Sequence, residues 1–185
     1  MGTQYPKLEE AHQKFIKKQP IFFVGSAATT GMINVSPKGM DSLRILGPNR
    51  IVWRNLTGSG NETAAHVAES PRMTIMWCSF EGPPMIFRAF GTARAIHRLD
   101  ADWAELDAHF EPNISSRQLF DMTVEMAQKS CGYAVPEMDY IGDRDVLTKW
   151  AETKGEAGVQ DYWATRNTKT LDGVDTDIVA RNLGR

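Results

Sequence analysis

The sequence contains few of the residues that mark a disulfide scaffold, a membrane segment or a nucleic-acid surface. Only two of its 185 residues are cysteines, Cys78 and Cys131, which excludes a disulfide framework and a cysteine zinc site. The longest apolar run, 21–24, is far too short to cross a bilayer. The formal net charge of −2 provides no excess of cations for a polyanion. We therefore expect a protein of the reduced cytoplasm without nucleic-acid or membrane partners.

The length and composition predict a single globular domain. A chain of 185 residues is long enough to bury one sizeable core, and its 42% hydrophobic and 24% charged residues are ordinary for a globular protein. Residues 155–185 are polar and mixed apart from Tyr162 and Trp163. We assign 1–154 to the domain with its flanking helices, and 155–185 to a C-terminal tail that packs on the domain or on a partner.

Short apolar segments separated by turn residues predict a mainly β fold. The predicted strands are 21–26, 31–35, 42–46, 50–54, 72–78 and 85–97. Six strands at this spacing are typical of a sandwich or barrel. Helical patterns are predicted at 7–18, 61–70, 100–110, 115–130 and 143–153, and a further strand at 133–140. The helix at 115–130 is inferred from an apparent capping box in Ser115-Ser116-Arg117-Gln118.

The most informative stretch, 53–65, passes from a predicted strand through a glycine-rich loop into a predicted helix. This arrangement directs free backbone N–H groups and the positive end of a helix at one place, which favours an anion. Gly58 and Gly60 allow a ligand to approach the backbone closely. Further side-chain donors in this stretch are Ser59, Asn61 and Thr63.

Two common nucleotide-binding motifs do not fit this stretch. A P-loop needs a lysine after its second glycine, and none is present; a Rossmann motif needs a third glycine where Thr63 stands. An alternative to anion binding is that Asn61 only caps the helix and the glycines only turn the chain.

Two basic residues on predicted strand ends are further candidates. Lys38 follows Pro37 where the second strand exits, and Arg88 shares a strand face with Ile86 and Phe90. A buried cation in such a place needs an anionic or aromatic partner. The alternatives are a solvated turn lysine and a solvent-facing arginine on an edge strand.

Four segments in a fixed order resemble a known family. They are 34–39, 53–63, 71–77 and 90–93, and their order is similar to that of the FMN-binding split-barrel family named for pyridoxamine 5′-phosphate oxidase. The resemblance covers about residues 15–97, and segments 131–136 and 166–173 resemble a bacterial branch of unassigned substrate. It implies a six-stranded antiparallel Greek-key split barrel, a homodimer, and one FMN per protomer at the dimer interface.

The resemblance also implies which residues bind the cofactor. The flavin would lie along 33–38, the strand end 53–55 would touch its ring or ribityl chain, and the loop and helix start would hold its phosphate. The implied cofactor-binding residues, with Arg88 added as a source of charge, are Val35, Ser36, Lys38, Trp53, Arg54, Asn55, Gly58, Ser59, Gly60, Asn61, Thr63 and Arg88.

The sequence departs from the family pattern at the phosphate and at the substrate. The named oxidase has an Arg-Lys pair where this chain has Gly60-Asn61, so Lys38, Arg54 or Arg88 would have to supply positive charge. The strand glutamine of the oxidase aligns with Ile86. Its Tyr, Arg and Ser set for the vitamin phosphate aligns with Phe110, Ile114 and Gln118. The departures weaken pyridoxamine phosphate as the substrate.

Three functions remain open from the sequence. The first is an FMN-dependent oxidoreductase acting on a small molecule, with electrons from NAD(P)H or to oxygen. The second is a non-catalytic flavin- or haem-binding split barrel, and the third is an interaction module without a cofactor. No residue is identified as catalytic, and His12, His66, His97 and His109 have no metal-ligand spacing.

Overall fold

The computed structural model describes residues 2–185 as a mainly antiparallel β-sheet with helices around it. The strands are β1 (Thr3–Tyr5), β2 (Phe22–Ser26), β3 (Asn34–Lys38), β4 (Leu43–Gly47), β5 (Arg50–Leu56), β6 (Arg72–Cys78), β7 (Met85–Ile96) and β8 (Ser116–Cys131). The helices are α1 (Glu10–Lys18), α2 (Glu62–Glu69), α3 (Trp103–Asp107), α4 (Val146–Arg166) and α5 (Ile178–Leu183).

The sheet is open, and one of its faces carries the main core. Its strand order is β3-β2-β6-β7-β8-β5-β4, and β1 pairs with the far part of β8. Inward side chains of β2, β5, β6, β7 and β8 form one buried cluster. In its centre the rings of Trp53 and Phe120 stack with centroids 4.4 Å apart. A second cluster lies between the outer face and α3.

Five of the six predicted strands correspond to β2 and β4 to β7. The predicted strand at 31–35 shares only residues 34 and 35 with β3, and the total is eight strands rather than six. The predicted helix at 115–130 is wrong, because this segment is β8, the strand between β7 and β5. Its hydrogen bonds go to both neighbours, and Phe120, Met122 and Val124 alternate with more polar residues as a strand requires. The apparent capping box is instead a turn, in which Ser115 donates to the side chain of Asn113.

The segment that follows β8 also differs from expectation. The predicted strand at 133–140 is wrong: these residues form turns and irregular chain, and Tyr133 and Tyr140 are exposed. Exposed backbone can bond to water there, so no ladder is needed. The predicted helix at 143–153 is the first part of α4, which continues to Arg166 across a break at Gly155, where φ is +66°.

Residues 155–185 pack against the domain of the same chain. Ala151, Val159, Trp163 and Ile178 form a third buried cluster between α4 and α5. The indole of Trp163 donates to the hydroxyl of Thr57 at 2.8 Å. The tail therefore covers the end of β5. Within residues 2–185, no helix is both long enough and apolar enough to span a membrane.

Candidate functional site

The loop between β5 and α2 has backbone donors that face solvent. Thr57 anchors its start, because its N–H and its hydroxyl both donate to the carbonyl of Ser115, at 2.8 and 2.9 Å. Gly58, Ser59 and Gly60 are exposed. Within residues 2–185, the amides of Ser59 and Gly60 have no acceptor. These free donors lie at the positive start of α2, where an anion is stabilised.

Asn61 immediately precedes α2, yet its side chain does not cap the helix. It is buried, and its Nδ2 atom donates to the carbonyl of Asn167 in the tail at 3.4 Å. Its Oδ1 atom is buried without a partner among the described residues. The capping interpretation therefore does not account for Asn61, and a free acceptor remains beside the loop.

Strand β3 presents polar side chains inward and apolar side chains outward. Asn34, Ser36 and Lys38 are partly buried, whereas Val35 and Pro37 are exposed. Asn34 donates at 3.1 Å both to Ser36 and to Thr63 at the start of α2. Because alternate residues of a strand share a face, the inner row of β3 continues from the loop towards Lys38.

Lys38 is the last residue of this inner row, at the end of β3. Its Nζ atom donates to Oδ1 of Asn55 at 3.3 Å and lies 5.5 Å from the ring centroid of Trp53. Asn55 in turn donates to Oε1 of Gln118 on β8 at 3.1 Å, and Nε2 of Gln118 is buried without a partner in the described chain. Burial, and secondarily the charge of Arg117, lower the pKa of Lys38 to about 8. No carboxylate of residues 2–185 balances this ammonium.

The other three predicted residues lie away from the loop. The indole of Trp53 is fully buried in the core, so its ring does not line an open surface. Arg54 is on the outer face, where it donates to the carbonyl of Glu111 at 2.6 Å and lies 4.9 Å from the ring of Phe110. Arg88 donates to Ser130 on β8 at 3.1 Å. Neither arginine brings its charge to the loop in this chain.

The structure supplies a cation that the sequence interpretation did not place at the site. Arg117 on β8 is 2% exposed, and its Nη1 atom donates to Oδ1 of Asn167 at 2.8 Å and to the carbonyl of Gly58 at 3.3 Å. Its Nε atom has no partner within residues 2–185. Burial lowers the pKa of Arg117 below its ordinary value.

Arg117, Gln118 and Asn167 were missed for two reasons. The alternation at 120–125 was a signal for a strand, which would have put Arg117 and Gln118 beside Asn55 and the loop. Asn167 lies in segment 166–173, which was noted only for its resemblance to a branch of the family, and nothing in the pattern of that segment predicts that its side chain reaches the loop.

The site can bind an anion and a chain of polar groups, but the described residues show no metal centre. Within residues 2–185, no three His, Cys, Asp or Glu side chains are grouped to hold an ion. The donors available are backbone amides, amide side chains and two cations that pair with no carboxylate of the described chain. Such a set suits a phosphorylated ligand whose remaining part offers oxygen and nitrogen atoms.

Comparisons with known proteins agree with this architecture. The sequence profile of the pyridoxamine 5′-phosphate oxidase family matches residues 8–131. A protein of Aspergillus flavus, the pyridoxamine 5′-phosphate oxidase family protein ustO, is 33% identical over 192 residues, which cover 94% of this chain and 77% of that protein.

Solved structures share the fold at low sequence identity. A candidate pyridoxamine 5′-phosphate oxidase of Lactobacillus delbrueckii has a TM-score of 0.53 and 16% identity, covering 68% of this chain and 97% of that one. A variant of HupZ from Group A Streptococcus has the same TM-score and identity, covering 66% and 99%. The matched profile spans more than half of the sequence, and the chain therefore belongs to the pyridoxamine 5′-phosphate oxidase family.

Proposed function

We propose that this protein binds FMN, with the phosphate at loop 58–61, and uses it as an oxidoreductase acting on a small molecule. The observation that carries the proposal is the combination of free loop amides with two buried cations, Lys38 and Arg117, that pair with no carboxylate of residues 2–185. Burying a charge without a counter-charge is unfavourable. A bound anion at this end of the sheet would relieve that cost.

The residues present fit the chemical groups of FMN. The amides of Ser59 and Gly60 suit a phosphate, and the unpartnered Oδ1 of Asn61 suits a donating ribityl hydroxyl. Lys38 and Nε2 of Gln118 are donors for the oxygen and nitrogen atoms of a flavin ring. Ser36 lies between the two ends on the inner row of β3.

The chain itself would supply binding, orientation and electrostatics. FMN, when bound, supplies the electron-transfer chemistry. Lys38 carries a proton at neutral pH, so it can donate to a ring atom and stabilise negative charge there. Asn55 and Gln118 hold that ammonium in place through two consecutive hydrogen bonds.

An apolar patch on the edge of the sheet favours assembly into the homodimer expected for this family. Met32, Ile33 and Val35, on and before β3, are 62%, 77% and 65% exposed. Exposed apolar side chains along an unpaired sheet edge are unfavourable in an isolated protomer. We propose that a second copy covers this edge, where β3 also forms one wall of the candidate site. Light scattering of the wild type and of Ile33→Glu tests this, and a monomeric wild type would contradict it.

Titration of the cofactor-free protein with FMN, followed by flavin fluorescence, tests the proposed cofactor. We expect saturable binding, and weaker binding of riboflavin, which lacks the phosphate. A protein that takes up neither compound refutes the proposal. Uptake of haem instead of flavin would support the haem-binding alternative.

A second assay separates an enzyme from a non-catalytic flavoprotein. The FMN-loaded protein is mixed with NADH or NADPH without oxygen, and bleaching of the flavin absorbance is followed. Bleaching, reversed by air or by a dye, supports an oxidoreductase. If NADH and NADPH do not reduce the bound flavin, and the protein transfers no electrons to an added acceptor, the result would favour the non-catalytic function.

A further inference from the structure

The C-terminal tail binds loop 58–61, between β5 and α2, through one buried side chain, that of Asn167. Its Nδ2 atom donates to the carbonyls of Gly58 at 2.9 Å and Ser59 at 3.3 Å. Its Oδ1 atom accepts from Arg117 at 2.8 Å, and its own carbonyl accepts from Asn61. Asn167 is completely buried. A single residue therefore fixes both the loop and the cation behind it.

These hydrogen bonds determine where the loop amides point. In a trans peptide, the carbonyl of one residue and the N–H of the next point in opposite directions. Because the carbonyls of Gly58 and Ser59 are turned towards Asn167, the amides of Ser59 and Gly60 are turned away from the tail. The exposed side of the loop thus presents two successive N–H groups, which is an arrangement that binds anions.

Arg117 adds charge from the buried side of the same loop. Within the described chain its guanidinium donates only to neutral acceptors, the carbonyl of Gly58 and the side chain of Asn167. The charge is therefore not cancelled, and it lies behind a thin layer of loop backbone in a region from which water is excluded. In such surroundings a positive charge acts strongly on a nearby anion.

Other bonds from the tail keep the start of α2 in place. Trp163 binds Thr57, and the N–H of Leu171 donates to both carboxylate oxygens of Glu62, at 3.1 and 3.3 Å. The tail thus contacts the chain on both sides of the loop. It also hydrogen-bonds the carboxylate of Glu62, the acidic residue next to the loop. All of these tail residues lie beyond residue 131, where the family profile ends.

We infer that Asn167 and Arg117 are positioning residues for a phosphate site at loop 58–61, with Asn167 orienting the amides and Arg117 supplying charge from behind. The inference rests on the proposed function, because it takes the phosphate to be that of FMN. Arg117 and Asn167 would together take the place of the Arg-Lys pair that the named oxidase has in this loop and that this chain lacks. The tail of each protomer thereby completes the site of that same protomer.

The test compares FMN with riboflavin in Asn167→Ala, Asn167→Asp and the wild type. Asn167→Ala should weaken FMN binding by about 10- to 100-fold, as expected when buried hydrogen bonds are removed, and change riboflavin binding by less than about threefold. Asn167→Asp keeps the shape and the bond to Arg117 but places a negative charge behind the loop. It should weaken FMN binding at least as much as Asn167→Ala does. Thermal melts of each variant check that it is folded before its binding is compared.

Asn182→Ala is a matched control. Asn182 is another buried tail asparagine, which donates to the backbone carbonyl of Arg117 at 2.7 Å but does not contact the loop. We expect it to lower stability while keeping the wild-type preference for FMN over riboflavin. Arg117→Lys tests the charge: it should retain part of the preference that Arg117→Met loses.

Each result has a distinct meaning. Equal losses for FMN and riboflavin, or a loss in Asn182→Ala as large as in Asn167→Ala, would overturn the positioning role and leave the proposed function standing. A wild type that binds FMN no better than riboflavin would place the phosphate elsewhere and also overturn the inference. A wild type that binds neither flavin would refute the proposed function itself.

Discussion

The ammonium of Lys38 donates to the side-chain oxygen of Asn55 across 3.3 Å, which joins the end of edge strand β3 to β5, the strand next to the opposite edge of the sheet. The partner is a neutral amide and not a carboxylate, so the bond fixes the position of the ammonium without cancelling its charge. This relationship leads to two predictions, one about ligand binding and one about stability.

FMN affinity should fall as the pH rises through about 8. Burial lowers the pKa of Lys38 to about 8, so the ammonium that would interact with the ligand loses its proton there. The phosphate does not change its charge in this range, because its second pKa is about 6. Dissociation constants measured from pH 7 to 9.5 should rise in the wild type. In Lys38→Gln this rise between pH 7 and 9.5 should be lost, because Arg117 keeps its proton over the same range; an unchanged profile would contradict the role of Lys38.

Lys38→Met should stabilise the ligand-free protein at pH 7. Because the folded-state pKa of Lys38 is lowered, the unfolded chain binds the proton more tightly, and the charged side chain opposes folding below about pH 8. Removing it should raise the Tm, by about 2–4 °C for each kcal/mol gained. The advantage should shrink between pH 8 and 10.5, as the wild type becomes more stable with rising pH. A lower Tm for the variant at pH 7 would show that the ammonium has a counter-charge.

Ser59→Ala combined with Asn61→Ala should weaken FMN binding by about 1–3 kcal/mol for each buried hydrogen bond to the ligand that the substitutions remove. Asn61 supplies an unpartnered acceptor and a bond to the tail, while Ser59 supplies a hydroxyl on the exposed loop. Fluorescence titration with FMN measures the effect. Unchanged affinity in the double variant would mean that the phosphate binds elsewhere.

Phe120→Ala should cost about 3–5 kcal/mol of unfolding free energy. The ring is fully buried and stacks on Trp53, so its removal leaves a cavity in the main core. Urea unfolding measures the loss. Ile141→Ala is the control, because Ile141 is 99% exposed and its truncation should change stability by less than about 0.5 kcal/mol. Similar losses for both variants would place Phe120 outside the core.

Gly91→Ala should disrupt the pairing of β7 with β8. The register shifts between Phe90 and Gly91, and a Cβ atom at Gly91 would lie 1.9 Å from the carbonyl oxygen of Thr123. Backbone cannot give way there without breaking the ladder, so we expect a loss of about 1–3 kcal/mol or more. Thermal melts measure this loss of stability. Gly47→Ala is the control, because its Cβ atom would have no neighbour within 4 Å, and it should change the Tm very little. A neutral Gly91→Ala would refute the close approach.

The sequence alone located β2 and β4 to β7, because these strands contain apolar residues bordered by turn residues such as glycine and proline. It placed β3 three residues too early, because β3 is polar on its inner face. It misjudged β8, since residues 116–120 are buried on both faces and show no alternation until Phe120. That error removed Arg117 and Gln118 from consideration. Asn167 was beyond reach for another reason: its importance comes from hydrogen bonds to residues more than a hundred positions away, which no local pattern records.

The same long separation bears on how the protein is made. Residues 57–62 are held by partners at 163, 167 and 171, so the loop lacks its supports until these positions have been synthesised and released from the ribosome. The sheet can begin to form earlier, because β2 to β7 are all encoded before residue 97. Binding of a phosphate at the loop would then have to wait until residue 171 is available to fold. A nascent chain stalled before residue 163 would display a nearly complete sheet and a loop held only by Ser115 and Arg117 at the start of β8, without the hydrogen bonds from Asn167.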